Sequence, residues 1–288
     1  MITSISQMRD SNDALMILAH RGHRFGKIPE NTLLAYDAAI ALGADIVETD
    51  VARTTDDRCV IVHGPLLETV FSNIKGDVHS KSFSELQAVQ YSTLYGPTES
   101  APILQLEEVL EHCRGRAIVN VDRAYNVGDL EYVYQIVSRM DMLDQVLFKG
   151  PFDAKEAYEW TACHDFKAAY MPIIRNDPAK MESALFYAKQ AHFPAIEITF
   201  RDDKMSIFSE ETVSTAVNLG MKPLVNVIAP VRETLCGGHD DVVSILEGPE
   251  NGWGWLIDHG AQILQTDCTG ELRHYLNNRE GKQHENNG

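Results

Sequence analysis

Basic residues, paired cysteines and long apolar runs are what this 288-residue sequence has little of, and each shortage narrows the reading. Lys and Arg number 25 against 42 Asp and Glu, a formal net charge of -17. A nucleic-acid surface needs clustered Lys and Arg, and anionic membranes attract the same residues, so neither partner is expected. A small-molecule substrate fits better. An anionic one would be repelled by this acidity unless the site supplies local positive charge from a metal or from placed Arg and Lys. The five cysteines, Cys59, Cys113, Cys163, Cys236 and Cys268, are odd in number, scattered and never spaced as CxxC. They read as buried or incidental thiols, not as disulfides or a zinc site. No basic segment leads into an apolar one near the N-terminus, and the apolar run there, Leu15 to Leu18, is far too short to span a bilayer. A cytoplasmic protein without membrane insertion is the expectation.

What is present is an ordinary globular composition, 44% hydrophobic and 23% charged. The length suits one domain over residues 1–288, since α/β barrels of roughly 250 residues fold around a single core. Short β-rich apolar runs alternate with helical patterns along the whole chain. The strand candidates are residues 15–20, 45–50, 117–122, 145–149, 167–174, 195–200, 222–228 and 263–267. Several are apolar nearly throughout, as strands covered on both faces must be. Gly43 and Gly220 follow helical stretches as C-caps would. About eight βα units of this kind predict an α/β fold, a (β/α)8 barrel before an open doubly wound sheet. Residues 64–103 are polar and turn-rich and read as a small insertion or lid after the second strand. The polar end from about 280 to 288 reads as a disordered tail.

Functional residues of a barrel gather at the C-terminal ends of its strands. The first candidate strand ends in His20 and Arg21, the second in Glu48 and Asp50, the hairpin that follows in His63, and the third in Asn120 and Asp122. Lys149 ends the fourth, while Glu197, Asn226 and Asp267 belong to the last three. Glu48 and Asp50 are two apart on a strand, so period-two alternation aims both carboxylates to one side. Asp122 arrives from the next barrel strand. Three converging carboxylates repel one another unless a hard cation such as Mg²⁺ or Ca²⁺ joins them, although a lone Glu-x-Asp pair would equally suit a solvated loop edge. Two histidines on neighbouring strands can serve as acid and base near neutral pH.

These residues resemble the glycerophosphodiester phosphodiesterase family. His20-Arg21-Gly22 with Pro29-Glu30-Asn31-Thr32 resembles its HRG...PENT opening, and Gly43-Ala44-Asp45 through Glu48-Thr49-Asp50-Val51 its GAD..E.DV strand. Thr54, Asp56 and Val60 to His63 match T.D...VV.H at unbroken spacing. Near the end, HGAQILQTDCTGELRHYL is similar to the family's close. The resemblance implies a (β/α)8 barrel that cleaves a glycerophosphodiester or related sugar phosphodiester to a phosphomonoester and an alcohol. It matches Glu48 and Asp50 to metal ligands, His20 and His63 to the acid/base pair, and Arg21 to a phosphate contact. Mg²⁺ or Ca²⁺ is the implied metal, and Mn²⁺ also fits.

Three departures stand out. His63 is followed by Gly64 where the family has Asp. In Asn120-Val121-Asp122-Arg123-Ala124, which stands where the family reads N.E.K, alignment by the Asn puts Asp122 in the metal site and Ala124 at the lost Lys. Alignment of the family's Glu with Asn120 would leave Asp122 at the Lys position. Lys149 is the candidate replacement cation, with Glu197 and Asn226 as further substrate contacts. Trp253 and Trp255 could stack on a sugar or simply pack a helix. Two rival activities stay open: a lyase or transferase giving a cyclic phosphate, and a non-catalytic phosphodiester-binding relative. A homo-oligomer is also left open.

Overall fold

The structure is a computed structural model that describes residues 2–11, 15–93, 95–98, 101–124, 127–150, 152–229 and 234–286. Its centre is a ring of parallel strands: β1 (Met16–Ala19), β2 (Ile46–Arg53), β3 (Ile118–Asp122), β4 (Val146–Phe148), β5 (Ala169–Tyr170 and Ile173–Arg175), β6 (Ala195–Thr199), β7 (Lys222–Asn226) and β8 (Ile263–Thr266). Hydrogen bonding runs from β5's first piece through β4, β3, β2, β1, β8, β7 and β6 to β5's second piece. The short link between the two pieces closes the ring. Residues 167–174 read as one strand in the sequence, and the break falls at Met171 and Pro172. Proline has no N–H to donate to a ladder, so the strand changes partners there, pairing with β4 before the break and with β6 after it. The (β/α)8 expectation therefore holds.

Register explains how this sequence fills the barrel. Met16, Leu18, Ile46, Ile118, Leu147, Ala169, Met171, Ala195, Leu224 and Ile263 form one fully buried cluster, joined by Ile5 and Met8 of the short helix Ile5–Asp10. Pairs such as Leu18 with Ile46 and Ile46 with Ile118 lie side by side across the strands. Because side chains alternate with period two, stepping two residues along each strand from this layer gives His20, Glu48, Asn120, Lys149, Glu197, Asn226 and Gln265. The barrel is thus apolar at its N-terminal end and polar at its C-terminal end. That polarity places the site.

Helices wrap the outside, among them Leu33–Ala41, Leu106–Cys113, Val127–Arg139, Ala154–Cys163, Pro178–Ala191 and Glu210–Asn218. Gly43 ends the first of these with φ +96°, and a Cβ there would stand 2.8 Å from the Arg273 guanidinium, which bonds the Gly43 carbonyl. The segment after β2 folds back as the strand Cys59–Ile61, antiparallel to β2. Residues 64–103 then form three short helical turns and a two-stranded hairpin around a core of their own that includes Leu67, Phe71, Val78, Leu86, Tyr91 and Ile103. The final helix, Thr269–Asn286, continues through residues 280–286, where the sequence suggested disorder. All five cysteines are free. No helix among the described residues is long and apolar enough to cross a membrane.

Candidate active site

The loop after β1 begins with two left-handed residues, Arg21 at φ +57° and Gly22 at φ +73°. A Cβ at Gly22 would come within 2.7 Å of the Ala35 backbone, so only glycine lets this turn sit against the helix Leu33–Ala41. The turn aims the Arg21 N–H at Glu48 Oε2, 2.8 Å away. Asn31, also left-handed at φ +56°, donates from Nδ2 to Asp50 Oδ2 at 2.9 Å. The HRG and PENT segments therefore build the second layer of hydrogen bonds that holds the two β2 carboxylates.

Glu48 and Asp50 are each 1% exposed. Burial first, then the charges of Asp50 and Asp122, raise the Glu48 carboxyl well above the usual carboxylate range, outweighing Lys149 and Arg21. Asp50 and Asp122 lie in register on adjacent strands. Asp122 nevertheless turns to Lys149, whose Nζ is 3.0 Å from Asp122 Oδ2 and 2.8 Å from Glu197 Oε2. Burial alone would lower the Lys149 pKa, but Asp122, Glu197 and Glu48 outweigh it and the net direction is up. Lys149 is thus a buried, committed cation. Among the described residues, no group of three or more His, Cys, Asp or Glu is arranged to hold a metal ion. One observation does fit a hard cation: Asn120, in register with Glu48, keeps a buried Oδ1 without a hydrogen-bond partner. Glu48, Asp50 and that amide oxygen are all hard donors of the kind Mg²⁺ and Ca²⁺ accept.

His20 and His63 stand at the same rim. The Nδ1 of His20 is 2.9 Å from Asp267 Oδ1, and Arg24 Nη2 is 2.7 Å from the other Asp267 oxygen. Burial pushes the Asp267 carboxyl up, but the hydrogen bond and charge of His20, followed by Arg24, hold it at about 2. His63 Nε2 lies 2.6 Å from Arg123 Nη2, and Arg123 Nε is 3.3 Å from Asp50 Oδ1. An arginine can only donate, so this ring nitrogen is unprotonated. Burial, Arg21 and Arg123 together lower the His63 pKa to about 3. Arg21 itself is held by Glu30 at 3.1 Å and stands 3.3 Å from Asp50. Asn226 uses its Oδ1 to accept from Ile228 N at 3.2 Å, which shapes the loop after β7.

A cavity of ≈ 330 Å³ opens over this layer, and His20, Arg21, Glu48, Asp50, Asp122, Lys149, Glu197 and Asn226 all line it. His63 adjoins it through Arg123. Sequence reasoning passed over Asp267 as a partner of His20, and over Arg24, Glu30, Asn31, Arg123 and Asp241. Asp241, 5% exposed, accepts from Thr266 Oγ1, Trp253 Nε1 and the Asp267 N–H, and so fixes the end of β8. Trp253 is consequently a buried packing residue, and Trp255 stacks between His239 and His259 at 3.9 and 3.8 Å.

The class defined by this architecture is a (β/α)8 barrel with a mixed acidic and histidine rim at its C-terminal mouth. Residues 20–151, the first half of the barrel, match the model of the glycerophosphoryl diester phosphodiesterase family. Residues 170–276 match a second model described only as a domain of unknown function. A glycerophosphodiester phosphodiesterase of Bacillus altitudinis is 34% identical over 138 residues, 46% of this chain and 56% of that protein. The match therefore spans little more than half that relative's length. Across the whole barrel the likeness is one of fold: a glycerophosphoryl diester phosphodiesterase of Parabacteroides distasonis superposes with a TM-score of 0.76 at 18% identity, covering 96% of this chain and 93% of its own. An Oleispira antarctica phosphodiesterase in complex with the product sn-glycerol-3-phosphate superposes at 0.65 with 17% identity, covering 91% and 96%.

Proposed function

We propose that this protein is a metal-dependent phosphodiesterase that hydrolyses a glycerophosphodiester or related sugar phosphodiester to a phosphomonoester and an alcohol. The observation that carries the reading is the placement of two histidines of opposite character on one acidic rim, His20 against the Asp267 carboxylate and His63 against the Arg123 guanidinium. A histidine kept neutral can take a proton from the attacking oxygen, and one backed by a carboxylate can hold a proton for the leaving alkoxide. His20 and His63 are accordingly the acid/base pair, His63 taking part once Arg123 has left its Nε2. Arg21 contacts the phosphate, Lys149 balances the charge of Asp122 and Glu197 beneath it, and Asn226 contributes a polar wall.

Glu48 and Asp50, with the Asn120 amide oxygen and with Asp122 once it parts from Lys149, would hold a divalent cation, Mg²⁺ or Ca²⁺. When bound, it supplies charge stabilisation to the phosphoryl oxygens. The structural neighbour crystallised with sn-glycerol-3-phosphate supports a glycerol-bearing small-molecule substrate. Phosphorus NMR of the products formed from glycerophosphocholine and from sugar phosphodiesters tests the reaction type. A phosphomonoester supports hydrolysis, whereas accumulation of a cyclic phosphate makes the protein a lyase.

A further inference from the structure

An acidic chain that takes an anionic diester needs a cation whose charge is not already spent. The cationic side chains lining the ≈ 330 Å³ cavity are Arg21, Arg123, Lys149 and Arg175, with His20 beside them. Arg21 is held by Glu30 and Asp50, Arg123 lies against Asp50, Lys149 is clamped between Asp122 and Glu197, and His20 rests on Asp267. Arg175 differs. It is the last residue of β5, it is exposed, and among the described residues its side chain makes no hydrogen bond and no ion pair. It also walls a second cavity of ≈ 520 Å³ that shares Gly150 and Ile173 with the first, so Arg175 borders both cavities where they adjoin.

We infer that Arg175 is a phosphate-binding residue of this site, with its guanidinium fork taking two nonbridging oxygens of the substrate. This rests on the phosphodiesterase reading for the identity of the ligand, though not for its charge. Three facts support it. A planar fork matches two phosphate oxygens. Arg175 can bind an anion without first releasing a carboxylate, which each of the other cations of the cavity would have to do. Its position at the end of a barrel strand places it on the same rim as His20 and Glu48. The break at Met171 and Pro172 serves the same end: it redirects the last part of β5 onto β6, and Arg175 then pairs with Thr199 at the barrel mouth.

The test measures inorganic phosphate binding by titration calorimetry alongside KM for bis-p-nitrophenyl phosphate, in wild type, Arg175→Ala, Arg175→Lys and Lys167→Ala. Lys167 is an exposed cation at the opposite end of the barrel and controls for net charge. Arg175→Ala is expected to weaken phosphate binding about tenfold or more and to raise KM by a similar factor, the loss of one charge-assisted contact. Arg175→Lys should recover part of each, since it keeps the charge and loses the fork. Lys167→Ala should change neither. Phosphate that binds Arg175→Ala as tightly as wild type, or that does not bind wild type at all, overturns the inference even if diesters are turned over. Arg175-dependent phosphate binding in a protein that hydrolyses no diester sustains it and sinks the phosphodiesterase reading instead.

Discussion

Replacing Asp267 with Asn separates the charge of that carboxylate from its shape. The carboxyl is held near 2, down from 3.8, by His20 and Arg24 against the opposing effect of burial. At ~1.36 kcal/mol per unit of pKa, the ion pairs contribute roughly 2 kcal/mol at pH 7. With the Asp267 side chain 30% exposed, salt trims this only in part. A carboxyl whose folded pKa is depressed lends stability above its unfolded value and loses it as pH falls through the folded one. Asp267→Asn should therefore shift the urea midpoint by roughly 2 kcal/mol at pH 7, and the gap should close between about pH 4 and pH 2. Turnover should fall further, by about 10²-fold or more, because the carboxylate that orients the His20 ring through Nδ1 is lost. An Asp267→Asn protein with the wild-type midpoint and wild-type turnover at pH 7 would refute the dyad.

Four other outcomes follow from the same geometry. His20→Ala and His63→Ala should each lower kcat/KM for a diester by roughly 10² to 10⁴ with the fold intact by circular dichroism, and a loss of less than tenfold removes that residue from acid/base work. Lys149→Met leaves Asp122 and Glu197 without their buried cation, so chemical denaturation should show a loss of about 3 to 5 kcal/mol. The raised carboxyl of Glu48 works in the opposite sense to Asp267: its contribution is present below the unfolded value and is lost as pH rises, so in EDTA at pH 8 Glu48→Gln should melt above wild type. Adding Mg²⁺ should then stabilise wild type, by about 2.7 kcal/mol at a hundred times Kd, and leave Glu48→Gln unmoved.

Much of this was legible in one sequence because its causes are local. Strand polarity, the two-residue step from Ile46 to Glu48 to Asp50, and the glycine that lets His20-Arg21-Gly22 turn all follow from period and backbone freedom. The pairing of charges was not legible. Asp267 meets His20 across 247 residues and Lys149 meets Glu197 across 48, so no spacing reveals them. Lys149 read as a phosphate-binding cation because its position at a strand end was visible and its two carboxylate neighbours were not. Pro172 was visible within a strand candidate and could have signalled the break in β5 and the change of partners that sets Arg175 at the mouth. Arg123 is the least foreseeable: a residue at φ +70° that reaches both Asp50 and His63 depends on the strand Cys59–Ile61 folding back along β2 to bring His63 to the rim.

The most direct test of the account is hydrolysis of bis-p-nitrophenyl phosphate and a panel of glycerol and sugar phosphodiesters, first in EDTA and then with Mg²⁺, Ca²⁺ or Mn²⁺ restored. The account predicts turnover that EDTA abolishes and one of these metals recovers. Turnover indifferent to EDTA would contradict the carboxylate site, and none under any metal would contradict catalysis itself.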